Sequence, residues 1–318
     1  VVKGAIPTTT TAGAPAYIIG DLGKTASTQQ NIHGKLYFDL SPSSKINGGF
    51  AYSDNKNQYG RYHNYLTDSA GVPVTPPVSP APATPLNLGG KAATLSEANF
   101  YGISPYSTAL RYFAGYETKV LDNSKLTLNI GRIDRDYGNS SAGTTATLTA
   151  GKGLLTESPN STTNASAQLS QAIGERQFLI VGVATERGSL NQKKYNLNDW
   201  SNVDSQTTMI DRMDARSVNN ALFVQDQIEI GEKFTAYVGG RYDAWTAGGS
   251  SAVITPVAPA VVSSTNFADR TASALSPKLA AVYKVNERIS IKSSIGTGFK
   301  APNNNDLFAN PTWSGGVH

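Results

Sequence analysis

Five times along this chain, runs of alternating apolar and polar residues are folded back on one another by turns of three or four residues. From Lys35 to Leu40, the side chains of Leu36, Phe38 and Leu40 share one face and those of Lys35, Tyr37 and Asp39 the other, the period of a half-buried strand. Ser41 to Ser44 turn the chain, and the return strand sets Ile46, Phe50 and Tyr52 against Lys45, Asn47, Gly49 and Ser53. The design recurs with Leu110, Tyr112, Ala114 and Tyr116 opposite Arg111, Glu117 and Lys119, a turn at Asp122 to Ser124, then Leu126, Leu128 and Ile130. A third hairpin uses Ala165, Ala167 and Leu169 and turns at Gly174 to Arg176. The fourth runs through Leu222, Val224, Ile228 and Ile230, turns at Gly231 to Lys233 and returns through Phe234, Ala236, Val238 and Tyr242. A fifth turns at Val285 to Arg288.

The connections at the other end of these hairpins are long and polar: Asp54 to Tyr106, Gly138 to Asn160, Asn191 to Arg216 and Thr246 to Thr271. Compact soluble domains rarely carry several structureless loops beyond about 12 to 15 residues, so a soluble sandwich or propeller must explain four of them. A bacterial outer-membrane barrel requires that asymmetry. Closing a sheet on itself satisfies every backbone hydrogen bond in lipid, with apolar side chains outward, polar ones in the lumen, tight periplasmic turns and long extracellular loops. The expected fold is therefore all-β, a transmembrane antiparallel barrel. Tyr52, Tyr112, Tyr116, Tyr137, Tyr242, Trp245 and Tyr283 stand near strand ends, where an interfacial aromatic girdle is expected. Asp226 falls on the lipid-facing register, so it belongs near the periplasmic rim or beside a register shift.

Composition agrees with this reading and excludes several others. Charged residues make up 16% of the 318, below the roughly 25% of soluble domains. The net charge of +4 is spread over single Lys and Arg residues, which leaves no footprint for nucleic acid. Zero cysteines exclude a disulfide framework and thiolate metal sites. No run of about 18 apolar residues is present, and neither a transmembrane helix nor a signal peptide is visible. His33, His63 and His318 lie far apart with no carboxylate spacing of a metal or triad site, and Gly143 to Gly153 has the wrong spacing for a phosphate loop. No enzyme, cofactor or bound metal is expected. Ten or eleven strands can be counted, and residues 303–318 read as an extracellular loop rather than a closing strand, so the barrel reads as unfinished. Residues 1–32 are loop or early strand.

The run from Val218 to Ile230, followed by Lys233 to Asp243, resembles the mid-barrel hairpin of TonB-dependent receptors. Leu275 to Lys284, with Ser-Pro-Lys-Leu at 276–279, and Ile295 to Phe308 are similar to that family's S-P-K-L segment followed by G-F-R-A-P and an E-L-[YF] ending. The corresponding positions here are Gly298, Phe299, Lys300, Ala301 and Pro302, then Leu307 and Phe308. Lys300 replaces the usual Arg, Asn304 a common apolar residue and Asp306 a common Glu. The resemblance covers about a third of the chain well. It implies that residues 1–318 are part of a roughly 22-stranded barrel, plugged by an N-terminal domain that has no counterpart here. It also implies TonB-coupled active uptake of a scarce metal chelate such as a ferric siderophore or a cobalamin, across the bacterial outer membrane. The partners are then the small chelate, the TonB complex acting through the plug, and outer-membrane lipid or lipopolysaccharide. A passive porin or a small structural barrel is the alternative, but a porin would show a constricting loop with clustered charges.

The most ligand-like stretch is Tyr59 to Tyr65, where Tyr59, Arg61, Tyr62, His63 and Tyr65 combine rigid aromatic surface with donors suited to an anionic or aromatic chelate. Simple loop packing is the competing role. Trp200 and Trp245 are further candidates of the same kind. On the register above, Arg111, Glu117, Lys119, Arg241 and Asp243 point into the lumen, where docking the plug is the expected role and lining a substrate route the other.

Overall fold

A computed structural model describes residues 2–78, 81–255 and 261–309. Three short strands, β1 (Ile6–Thr9), β2 (Pro15–Ile18) and β3 (Gly20–Asp21), precede the first long hairpin, β4 (Thr25–Ser41) and β5 (Ser44–Tyr59). Three more, β6 (His63–Asn64), β7 (Thr84–Leu88) and β8 (Lys91–Leu95), lie in the connection to β9 (Ile103–Leu121). The long strands continue as β10 (Ser124–Ala142), β11 (Gly153–Glu157), β12 (Asn160–Ile173), β13 (Gln177–Leu197), β14 (Gln206–Ile230), β15 (Phe234–Thr255), β16 (Val261–Lys284) and β17 (Ser290–Gly296).

Eleven of these form one antiparallel sheet with near neighbours in sequence adjacent in space, β17-β16-β15-β14-β13-β11-β10-β9-β5-β4. β12 occupies the same lane as β11, also between β10 and β13, so the sheet is ten lanes wide. The tight turns are where the sequence placed them. Gly174 and Gly231 take φ of 62° and 68°, left-handed values that a side chain disfavours and that let three residues reverse the chain.

The two faces of the sheet are sorted inside out relative to a soluble protein. Across four lanes Val183, Leu222, Tyr242 and Leu275 are register partners, and all stand on one exposed face. Leu36 is 80% exposed, Leu275 69% and Ile295 74%, which only a hydrocarbon solvent makes favourable. Further from the tight turns the same face turns mostly polar: Arg132, Thr163, Arg187, Thr246 and Thr271, with Val218 the one apolar member, follow as partners across six lanes. Asp226 sits on this outer face with no register shift. It lies four residues from the end of β14 at the tight-turn end and accepts from Nε2 of Gln177, the first residue of β13, at 2.6 Å.

Three expectations change. Three of the four long connections are much shorter than the sequence suggested, because the ladder continues through their flanks: β13 runs to Leu197 and β14 starts at Gln206, inside the stretch read as loop from Asn191 to Arg216, while the first still spans the residues between Tyr59 and Ile103. At about 3.4 Å per residue the 25 residues of β14 extend roughly 85 Å, while about 9–11 residues cross a bilayer. The excess stands beyond the hydrocarbon, where the outward face is polar too and the alternation that marks a strand weakens, although Leu190, Met213 and Trp245 still bury on the inward face. Secondly, Tyr137 and Trp245 are not in an outer girdle; both line the inward face, and Trp245 is buried. Thirdly, residues 303–309 of the expected terminal loop form a helical turn, Asn305–Ala309, packed on the inward face. Residues 310–318, with His318, lie outside the described residues.

Residues 2–24, 60–78 and 81–101 make a separate layer at the long-loop end. Its core is Leu66, Leu86, Leu88, Leu95 and Phe100, and bridges between Lys3, Thr67 and Pro73 tie its segments together.

Candidate functional site

The candidate ligand residues fall into three places. Arg61, Tyr62, His63 and Tyr65 share the loop layer, and Tyr59 ends β5 at its edge. Here β3 pairs with β6, Asp21 opposite His63, and the Asp21 carboxylate gathers the surrounding polar groups. It accepts from the Tyr65 hydroxyl at 2.5 Å and the Gly23 amide at 2.6 Å, and lies 2.9 Å from His63 Nδ1. The Tyr65 hydroxyl, then the Gly23 amide and His63, hold the Asp21 carboxyl below its usual range, and that carboxylate in turn raises Tyr65. Tyr62 is turned inward and stacks on Phe100 at 4.5 Å between centroids. Tyr59 and Arg61 stay exposed. Nothing in the sequence marks Asp21, which lies 42 positions from His63 and in no motif.

Trp200 belongs to a second cluster, with Ala146, Leu155 and Leu197, and its indole N–H donates to the Thr147 carbonyl at 2.8 Å. Trp245 belongs to the third place, the inward face of β13 to β16.

On that face the lumen candidates are drawn into pairs. Arg241 grips Asp243 through Nε at 3.0 Å to both carboxylate oxygens and through Nη2 at 2.9 Å, while Asn219 Nδ2 donates to Asp243 Oδ1 at 2.9 Å. The Asp243 side chain is 4% exposed, so its charge depends on those donors. Lys125 binds Glu117 at 3.2 Å, and Arg111 lies 5.9 Å from the Phe113 ring centroid. Lys119 is exposed at the tight-turn end.

Two clefts share Glu186 and Asn219 and run along this wall. One, of about 460 Å³, is lined by Arg111, Phe113, Asn164 and Arg241. The other, of about 770 Å³, is lined by Arg135, Tyr137, Gln192, Trp245 and Asn303 to Asn305. Its rim is built by the segment from Gly298. Leu307 and Phe308 bury against Leu190, Met213 and Trp245, with Phe299 and Ala301 packed beside them. The Phe267 and Phe308 rings stand 5.1 Å apart and Arg270 lies 6.0 Å from the Phe308 centroid. Asn303 accepts from the Asp306 amide at 2.9 Å and starts the turn. Gly298, Lys300 and Pro302 remain exposed. No group of His, Cys, Asp and Glu among the described residues could hold a metal ion.

A family model described as "TonB dependent receptor-like, beta-barrel" matches residues 9–317. The chain belongs to the TonB-dependent receptor family. Its place is the outer membrane of Gram-negative bacteria, and the family's members are receptors and transporters rather than enzymes. Solved structures share the fold at low sequence identity. The ferric citrate transporter FecA matches with a TM-score of 0.58 at 12% identity, over 91% of this chain and 40% of that one. The ferric-catecholate import receptor Fiu from K12 E. coli gives 0.54 at 16%, over 87% and 44%, and P. aeruginosa FpvA bound to a pyoverdine–iron complex gives 0.52 at 16%, over 86% and 36%. The receptor barrel segment described here thus spans less than half the length of each. No curated protein matches.

Proposed function

We propose that this segment is barrel wall and outer loops of a receptor for TonB-coupled active uptake of a scarce metal chelate of the ferric-siderophore kind. The observation that carries the reading is the polar cleft beneath the Gly298–Phe308 segment, where Arg135, Tyr137, Trp245 and three asparagines offer cationic, aromatic and amide surface to a bulky chelate. The similar structures named above are receptors for ferric citrate, ferric catecholate and a ferric pyoverdine, which supports a ligand of that class. Tyr59, Arg61, Tyr62, His63 and Tyr65 belong to the outer layer that such a ligand meets first, with Trp200 and Trp245 as deeper candidates. Arg111, Glu117, Lys119, Arg241 and Asp243 line the wall on which a plug would dock, and TonB would act through that plug. The outer face sits in membrane lipid, with lipopolysaccharide as its outer-leaflet neighbour.

The test is accumulation of a panel of ⁵⁵Fe-labelled chelates by cells carrying the full-length protein, with and without a protonophore. Saturable uptake of one chelate that stops when the proton gradient collapses is expected. Uptake indifferent to the protonophore and linear in concentration would replace this reading with a passive pore.

A further inference from the structure

On the outer face, between lanes β12 and β15, the wall is hollowed because its residues are small. Ala165 and Ala167 stand beside Val183, then Leu222 and Ala244, and a groove of about 590 Å³ lies over them. Neighbouring lanes carry Leu126, Leu128 and Ile130 on one side and Leu275 and Leu279 on the other, so the groove is a dent in a continuous apolar band. Its contacting surface is almost wholly carbon, which suits an acyl chain.

Immediately beyond the dent, away from the tight turns, the face changes character. Thr185 and Asn220 close the dent; the next outward position on β13 is Arg187, while on β14 Val218 comes first and Arg216 follows it. Arg187 is the partner of Val218, and Arg216 that of Ser189, so the two arginines occupy diagonal positions on adjacent strands, about 7–8 Å apart at the backbone. Both are exposed. Among the described residues neither makes a salt bridge, whereas Arg132 and Arg212 on the same face each hold an aspartate two residues along, Asp134 and Asp214. Asp214, the carboxylate nearest Arg216 along its strand, is occupied by Arg212 and by the Asn191 amide. Asp269 lines a further hollow with Arg216 but forms no ion pair with it. Two guanidinium groups without counter-ions, side by side at the level where an apolar band ends, repel one another unless an anion lies between them.

We propose that Arg187 and Arg216 clamp a phosphate of an outer-leaflet lipopolysaccharide molecule, one of whose acyl chains lies in the groove over Ala165, Ala167, Val183 and Leu222. The spacing is that of an amphiphile: an anionic head at the band's edge and a chain running toward the tight turns. This site depends on the outer face lying in lipid and not on what the receptor transports.

The experiment is native mass spectrometry of the full-length protein, delipidated in detergent and titrated with bisphosphorylated lipid A, with lipid A lacking its phosphates, and with phosphatidylglycerol. The Arg187→Ala/Arg216→Ala protein should bind bisphosphorylated lipid A about tenfold more weakly, while Arg187→Lys/Arg216→Lys retains most of the affinity. Ala167→Phe, which fills the groove and keeps both charges, should lose binding as well. Heat-modified gel mobility reports that each variant is a folded barrel. Equal binding by the wild-type and double-alanine proteins, or equal affinity for lipid A with and without phosphate, would overturn the proposal. Tighter binding of phosphatidylglycerol than of lipid A would reassign the site to a phospholipid and overturn it equally.

Discussion

Asp21 and His63 stand 2.9 Å apart although they lie 42 positions apart in the chain, and with Tyr65 they tie the two segments of the loop layer together. The Asp21 carboxyl is held below its ordinary value chiefly by the Tyr65 hydroxyl, so it favours the closed layer above the usual aspartate range, near pH 4, and loses that effect as pH falls through its lowered value. Tyr65 is raised by the same contact, so its contribution is present below about pH 10 and lost as pH climbs through its raised value. The protection factors of residues 19–23 and 60–66, with the intrinsic pH dependence of exchange divided out, should therefore be high and flat between those limits and fall outside them. Asp21→Ala should give fast exchange at neutral pH in both segments, with β9 to β16 unchanged.

Arg241 and Arg132 each hold an aspartate two residues along, but Asp243 is 4% exposed and Asp134 41%. Arg241→Ala leaves a buried carboxylate with Asn219 as its one remaining side-chain donor, and should cost about 2–4 kcal/mol in urea unfolding from lipid vesicles. Arg132→Ala should cost under about 1 kcal/mol. Equal costs would mean that Asp243 is hydrated in the full barrel.

Leu275 and Ser276 are consecutive, and alternation puts them on opposite faces of β16. Leu275→Arg should destabilise the barrel by about 2–4 kcal/mol although Leu275 is 69% exposed, because its solvent is hydrocarbon. Ser276→Arg, one position on, should change stability by less than about 1 kcal/mol. The ordering would be reversed in a water-soluble sheet.

Phe308 fills the space between Phe267, Trp245 and Leu190. Phe308→Ala removes most of what pins the Gly298–Phe308 segment and should weaken its docking by about 3 kcal/mol. Limited proteolysis should then cut between residues 299 and 309, with no new cuts in the long strands. The same variant should shift binding of whichever chelate the uptake screen identifies, since Asn303 to Asn305 line the cleft.

The barrel wall was legible because lipid imposes a sharp contrast. Leu36, Phe38 and Leu40 alternate with Lys35, Tyr37 and Asp39 only because the two faces meet different solvents. From Asn191 to Leu197 the ladder persists, but Asn191, Gln192, Lys193, Lys194 and Asn196 put polar side chains on both faces and nothing periodic reveals it. Trp245 was misplaced for a different reason: it shares the parity of Arg241 and Asp243, so its register pointed inward, and a general preference of aromatics for interfaces outweighed the alternation. Asp21 was invisible because its role exists only through the pairing of β3 with β6, which depends on the loop layer as a whole.

The order of lanes leaves β4 and β17 at the two margins, not joined to each other. In hydrocarbon each margin is a row of amide and carbonyl groups with no water to satisfy it. Expressed without strands to cover them, residues 25–296 would stitch copies together margin to margin into ribbons, and binding or transport assays on that span would report an aggregate. A β4 margin of 17 residues and a β17 margin of 7 also offer very different lengths of seam, so such ribbons would be held mainly through the N-terminal side.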